Sequence, residues 1–376
     1  MKTTISNLTP KLMEIFHHLH ANPEISGKEV ETTKFIRSLF QDKQCNMIEF
    51  DDLTGLVVEI GEGKPIVAVR ADIDALWQEV DGKFQANHSC GHDAHMTIAI
   101  GTIFTLLEHH LPRTGTVRII FQPAEETGKG ALAYTEKGII DDVDFLYGMH
   151  LRPIEELSFG KYAPAIQHGA AAFIKGEIIG DDAHGARPHL NTNAIEVGAE
   201  FVQHLNQMKV NPAVPHSVKM TQFQAGGKSI NIIPGNATFS LDVRAQTNEV
   251  MEQLTSKIKQ ISQLLATYHD IEINIEEVAQ VAAAVLNDEA IDYMKRAIID
   301  TVGERNLAPI IETTGGDDFH FYTLKRPHVK ATMLAIGCDL TPGLHHPKMT
   351  FNHEVIPTSV EILTNVVLTT LNSEAK

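Results

Sequence analysis

Basic residues are scarce in this chain: 31 Lys and Arg stand against 48 Asp and Glu, a formal net charge of −17 over 376 residues. Nucleic acids and anionic membranes are bound through clustered Lys and Arg, so this balance argues against both as partners. Cysteine is scarcer still. Cys45, Cys90 and Cys338 are too few and too scattered for a disulfide framework. No apolar run reaches about 18 residues, the length that reads as a membrane span. Met1-Lys2-Thr3-Thr4 lacks the apolar core of a signal peptide. Together these absences predict a cytoplasmic, reducing setting, where a lone cysteine stays available as a thiolate. Internal repeats and low-complexity segments are missing as well.

Hydrophobic residues, at 43%, are ordinary for a packed globular chain and exclude wholesale disorder. The length exceeds the usual limit for one hydrophobic core, so two domains are expected. Histidine is plentiful, with 20 copies. It is both the commonest metal ligand and the usual proton carrier near neutral pH.

Apolar residues at helical spacing (Leu12, Ile15, Phe16, Leu19) predict a helix over Leu8–His20, ended by Pro23. A second amphipathic helix is expected over residues 29–40. Short strands follow at 55–60 and 65–70, then a buried helix over 95–108 and strands at 117–121 and 145–150. Strands alternating with helices indicate an α/β layered domain. From about residue 169 the order changes to strand (171–179), helix (193–208), strand (217–224), strand (237–244), helix (248–267) and strand (271–277). This βαββαβ succession is the split ferredoxin-like unit. Helices are expected again at 288–302 and 357–371. The economical division is a discontinuous catalytic domain, 1–168 with 283–376, interrupted by a smaller domain over 169–282.

The strongest chemical signal is Asn87-His88-Ser89-Cys90-Gly91-His92-Asp93-Ala94-His95. Cys90 and His92 are two apart, and Gly91 lets the backbone turn so that both face one point. A thiolate with imidazoles suits Zn and other borderline divalent ions, and Asp93 is placed to hold a ligand imidazole. The plain alternative is a histidine-rich helix start capped by Asp93. Gln122-Pro123-Ala124-Glu125-Glu126 follows an apolar strand, at the end where ligands of α/β sheets collect. Adjacent carboxylates point different ways from an extended chain, so one can ligate while the other handles a proton; equally, Glu-Glu before a helix complements its dipole. Asp72, just past another strand, is placed to orient a ligand histidine or to form a strand-end salt bridge. His150 and His345-His346 are ambiguous singly. Asp182-Ala183-His184-Gly185 in the insert can present an imidazole to an oxyanion.

Eight ordered motifs run nearly end to end: His20-Ala21-Asn22-Pro23-Glu24, Arg70-Ala71-Asp72-Ile73-Asp74-Ala75-Leu76, His88-Ser89-Cys90-Gly91-His92-Asp93-Ala94-His95, Pro123-Ala124-Glu125-Glu126, Gly148-Met149-His150, His184-Gly185-Ala186-Arg187-Pro188-His189, Asn231-Ile232-Ile233-Pro234 and Leu344-His345-His346-Pro347. In these the chain resembles the aminoacylase and carboxypeptidase superfamily of dinuclear metallohydrolases. Within it, the chain looks like the branch of hippurate hydrolases, N-acyl-amino-acid amidohydrolases and plant auxin-conjugate hydrolases. The resemblance implies a zinc-peptidase-like mixed-sheet domain with helices on both faces and an inserted ferredoxin-like lid. It implies metal ligands at Cys90, His92, Glu126, His150 and His345 for two divalent ions (Zn, Mn, Co or Ni), with Cys90 bridging. Glu125 would be the general base and proton shuttle, Asp72, placed to orient a ligand histidine, would complete the catalytic set, and His184 and Asn231 would bind substrate or steady the oxyanion from the lid. An N-acyl amino acid or peptide-like substrate and a homodimer through the lid are implied as partners.

Three positions depart from the family's usual pattern: Asp317 within Gly315-Gly316-Asp317-Asp318-Phe319, Trp77 after Asp74-Ala75-Leu76, and His346. A dipeptidase or carboxypeptidase, a thiol hydrolase using Cys90 as nucleophile, and a silent ligand-binding relative remain as rivals. Chelation separates the first of these from the second.

Overall fold

The computed structural model describes residues 1–109, 112 and 114–374. They form two units, one of Met1–Gln167, Val285–Glu312 and Asp318–Lys376, the other of His168–Ala284 and Thr313–Asp317. Thr313–Asp317, which the sequence reading assigns to the catalytic part, clusters with the insert because Gly169 donates its N–H to the carbonyls of Thr313 and Gly315.

The larger unit is built on a seven-stranded mixed sheet, in the order Asn46–Ile48, Leu56–Glu62, Gly115–Gln122, Ile66–Asp72, Phe145–Pro153, Lys330–Leu340, Tyr162–Ala163. Its four central strands are parallel, with Asp72 beside Gln122 and Ala335 beside His150. Their C-terminal ends therefore emerge together. Ile66–Asp72 and Gly115–Gln122 are buried at every position, as strands covered on both faces must be. Helices Lys2–Ala21, His92–His109, Asp288–Val302 and Val355–Glu374 pack on one another as one layer, while Gly130–Glu136 and His320–Lys325 form a separate pair.

Helix Lys2–Ala21 begins before the expected Leu8 and runs through Pro10. Ile5, Leu8, Leu12, Ile15, Phe16 and Leu19 form one buried face, and that packing outweighs the bond that proline removes. Several elements lie outside the sequence reading, among them the short strands Asn46–Ile48 and Tyr162–Ala163 and the helices Gly130–Glu136 and His320–Lys325, and two bear on the site. One is the central strand Lys330–Leu340. The other is the hairpin Leu76–Val80/Lys83–Asn87, closed by Asp81 and Gly82 at φ 50° and 81°; Asp-Gly is the standing signal for that turn.

The smaller unit is an antiparallel sheet in the order His216–Ala225, Ala237–Ala245, Ala170–Ile179, Glu272–Val281. With helices Ala194–Asn206 and Asn248–His269 against it, this is the ferredoxin-like arrangement. Along Ala170–Ile179, Ile174 and Ile178 are buried while Phe173, Lys175 and Glu177 are exposed, the alternation of a sheet covered on one face. Among the described residues, no helix is long and apolar enough to cross a membrane.

Candidate metal centre

Each central parallel strand delivers one part of a cluster, as ligand sites in α/β sheets require. Past Gly115–Gln122, Ala124 turns the chain at φ 55° into the short helical turn Glu125–Thr127. Past Ile66–Asp72 comes Asp74; Phe145–Pro153 carries His150; past Lys330–Leu340 lies His345, at φ 64°. Cys90 and His92 flank the N-terminus of helix His92–His109. Gly91 between them has φ 88°, and a Cβ there would come within 2.7 Å of Leu151 Cδ1. Only glycine fits both demands.

The ligand atoms fall into two groups that share one residue. Cys90, His92 and His150 have potential ligand atoms within 4.8 Å of one another, and so do Cys90, Glu126 and His345. Cys90 Sγ lies 3.6 Å from His150 Nε2, and His345 Nε2 lies 3.5 Å from Glu126 Oε1. His92 Nε2 is 3.8 Å from Glu126 Oε1 and 4.0 Å from Glu125 Oε2. Hydrogen bonds set the tautomers. His92 Nδ1 donates to the carbonyl of Asp74 at 2.9 Å, and His150 Nδ1 to that of Leu151 at 2.6 Å. Both Nε2 atoms thus face the cluster; burial opposes a charge on His92, but the neighbouring Asp72 outweighs it and raises that ring well above its ordinary range, so a metal there would displace a proton.

The donor set fits a divalent metal on one further observation. Among the described residues, His92 Nε2 and Glu126 Oε1 are buried with no hydrogen-bond partner, a costly state for two polar atoms facing each other unless a cation lies between them. Burial, more than any charge, raises the Glu126 carboxyl to about 7. Burial and the Glu126 carboxylate push the Cys90 thiol well above its ordinary range, the opposite of what an activated nucleophile needs. Burial with the neighbouring His95 holds His150 neutral.

The expected outer partners are redistributed. Asp72 accepts from His95 Nδ1 at 2.7 Å and from Arg70 at 2.6 Å, and its Oδ2 stands 3.7 Å from His92 Nε2. His95 also accepts the N–H of Leu151 at 3.1 Å, so both its ring nitrogens are used. Asp93 holds His20 at 2.7 Å rather than a ligand imidazole, and its other oxygen takes the N–H of Ala94. The residue that sequence reasoning missed is Asp74. Beyond its carbonyl bond to His92, its carboxylate accepts the N–H of Glu126 at 3.0 Å and the hydroxyl of Ser26 at 2.5 Å. Its place in Arg70-Ala71-Asp72-Ile73-Asp74, two residues past Asp72, was the available signal. In the smaller unit, His184 and Asn231 are brought together: the paired strands Ala183–His184 and Ile232–Ile233 lead into a 2.7 Å bond from Gly185 N–H to the Asn231 carbonyl. Both side chains are exposed.

The chain is similar to known proteins in sequence and in fold. The pattern of peptidase family M20/M25/M40 matches residues 68–369. IAA-amino acid hydrolase ILR1-like 4 of Arabidopsis thaliana is 30% identical over 370 residues, 92% of this chain and 82% of the relative. N-acetyl-L-cysteine deacetylase of Bacillus subtilis is 30% identical over 368 residues, 94% and 86% of the two chains. Among solved structures, a putative aminohydrolase from methicillin-resistant Staphylococcus aureus superposes with TM-score 0.89 at 28% identity over 98% of each chain. The YXEP protein of Bacillus subtilis, a dinuclear metal-binding peptidase from the M20 family, gives 0.81 at 25% identity over 98% and 99%.

Proposed function

The chain belongs to peptidase family M20/M25/M40, and from that premise we propose that it hydrolyses the amide bond of N-acyl amino acids at a two-metal centre. It is a metal-dependent amidohydrolase. Cys90, His92 and His150 would hold one ion, and Cys90, Glu126 and His345 the other, Cys90 being common to both groups. The observation that carries this reading is that shared thiol beside two buried ligand atoms that make no hydrogen bond among the described residues. When bound, the ions supply Lewis-acid polarisation of the amide carbonyl and lower the pKa of water.

The chain's own groups do the rest. Glu125, with Oε2 4.0 Å from His92 Nε2, takes the proton of the attacking water and returns it to the leaving amine. Asp74 fixes the ring of His92 and the backbone of Glu126. Asp72, paired with Arg70 and His95, keeps a negative charge beside His92. His184 and Asn231 would bind substrate from the inserted unit, which we read as a lid through which two copies dimerise in the cytoplasm.

The relatives named for N-acetyl-L-cysteine and for IAA-amino acids support an acylated amino acid as substrate. The test is a screen of N-acetyl and N-benzoyl amino acids against dipeptides with Zn, Mn, Co and Ni supplied in turn. Acyl amino acids turned over above dipeptides are expected; the reverse order would assign a dipeptidase.

A further inference from the structure

Glu29 is a carboxylate with no solvent exposure and no part in the chemistry above. It stands at the start of helix Val30–Phe40. Its Oε1 accepts the N–H of Ala124 at 2.9 Å, and its Oε2 the hydroxyl of Thr54 at 2.6 Å. Neither partner is a cation. Burial is the largest influence on this group and pushes its pKa up, while the bonds from Thr54, its own backbone N–H, Ala124 and Gly27 draw it back. A buried carboxylate held by neutral donors alone is costly, so what its bonds fix is informative.

They fix Ala124, the residue immediately before the two site carboxylates. Ala124 is left-handed, at φ 55° and ψ 36°, a conformation that a Cβ disfavours. Its carbonyl is bound as tightly as its N–H, accepting from the Thr127 hydroxyl at 3.1 Å and the amides of Gly130 and Lys129 at 3.2 and 3.3 Å. The strained residue is thus clamped at both ends. An ordinary right-handed or extended Ala124 would send the chain leaving Gln122 and Pro123 elsewhere, and Glu125 and Glu126 with it.

We propose that Glu29 is a positioning residue for both site carboxylates: by holding the N–H of Ala124 it keeps that residue left-handed and so aims Glu125 and Glu126 at His92. The inference rests on the roles assigned above to those two carboxylates. It also separates geometry from charge, because only an acceptor at the reach of Glu29 can do this work. Gln keeps such an oxygen and loses the charge; Asp keeps the charge and falls one methylene short.

The test compares E29Q, E29D and E29A in the full-length chain. In metal-free protein, amide hydrogen exchange is followed over residues 122–128. Mn²⁺ affinity, kcat and KM are then measured on the loaded protein. E29Q should stay close to the parent in all three. E29D and E29A should exchange faster over 122–128, bind Mn²⁺ about 10- to 100-fold more weakly, and lose kcat more than KM. If E29A does not fold, E29Q against E29D decides alone. E29D equal to or better than E29Q, or an E29A variant with parental exchange and affinity, overturns the inference. A metal-loaded parent that hydrolyses no acyl amino acid overturns the functional reading instead, and leaves the exchange result to be judged by itself.

Discussion

Glu125 and Glu126 are neighbours in the chain yet meet different surroundings, and two predictions follow from that difference. Glu126 is backed by Asp74 and faces His92 and His345, whereas Glu125 stands farther from His92, at 4.0 Å, and accepts the N–H of Asp318 at 3.4 Å. Glu125→Ala should therefore keep its full metal content and lose turnover by about 10²–10⁴-fold, read by metal analysis beside hydrolysis rates. An active Glu125→Ala variant would remove it from the proton-transfer role. For Glu126 the pH dependence has a definite sign. Its carboxyl is raised from 4.5 to about 7 in the metal-free fold, so the native state holds a proton that the unfolded chain has lost. The group favours the metal-free fold at low pH, and that contribution fades as pH rises from about 4.5 through 7. A metal must displace this proton, along with the Cys90 proton that burial retains. Calorimetry in buffers of different ionisation enthalpy should thus find more protons released per ion bound at pH 6 than at pH 8. An equal count would contradict the surroundings described for Glu126. At this scale the sequence was informative about side chains, since Cys90, His92, Glu126, His150 and His345 do converge. It was poor on supporting contacts: Asp74 reaches His92 through its carbonyl, and Glu29 acts through a main-chain N–H ninety-five residues away in sequence. Backbone bonds carry no residue-type signature.

Among elements, the turn into helix His92–His109 bears most on the site. Gly91→Ala would oppose φ 88° and drive a Cβ to 2.7 Å from Leu151. The strain should destabilise the fold by about 1–3 kcal/mol and cost at least tenfold in metal affinity, since Cys90 and His92 would no longer face one point. Thermal melting and metal titration check both; parental affinity would show that the turn tolerates the side chain. The elements that were legible are those with a strong period or an unbroken apolar run. The helices at Asp288–Val302 and Asn248–His269 and the strands of the smaller sheet have amphipathic patterns that survive folding unchanged. The hairpin Leu76–Val80/Lys83–Asn87 did not stand out because it is largely exposed, with Trp77 60% and Phe84 64% accessible, so its alternation follows no buried face. Its contribution is nonetheless local to the site: the Gln78 amide donates to the His345 carbonyl at 2.9 Å.

At the scale of the molecule, a discontinuous α/β unit supplies every proposed ligand and an inserted ferredoxin-like unit carries His184 and Asn231. Along the chain the insert is marked by a changed order of helices and strands, whereas the clustering of Thr313–Asp317 with it depends on carbonyls meeting Gly169 rather than on any pattern. If the insert dimerises the protein as proposed, sedimentation should give a particle of twice the 41.4 kDa chain mass, and a monomer at working concentration would refute that assignment. In the proposed mechanism Cys90 serves as a shared metal ligand and not as a nucleophile. The most direct measurement of that role is hydrolysis of an N-acyl amino acid by the parent chain after exhaustive chelation and then during stepwise return of Zn or Mn. Activity should vanish on chelation and recover up to two ions per chain, whereas hydrolysis that survives metal removal would contradict the two-metal mechanism and return Cys90 to the role of nucleophile.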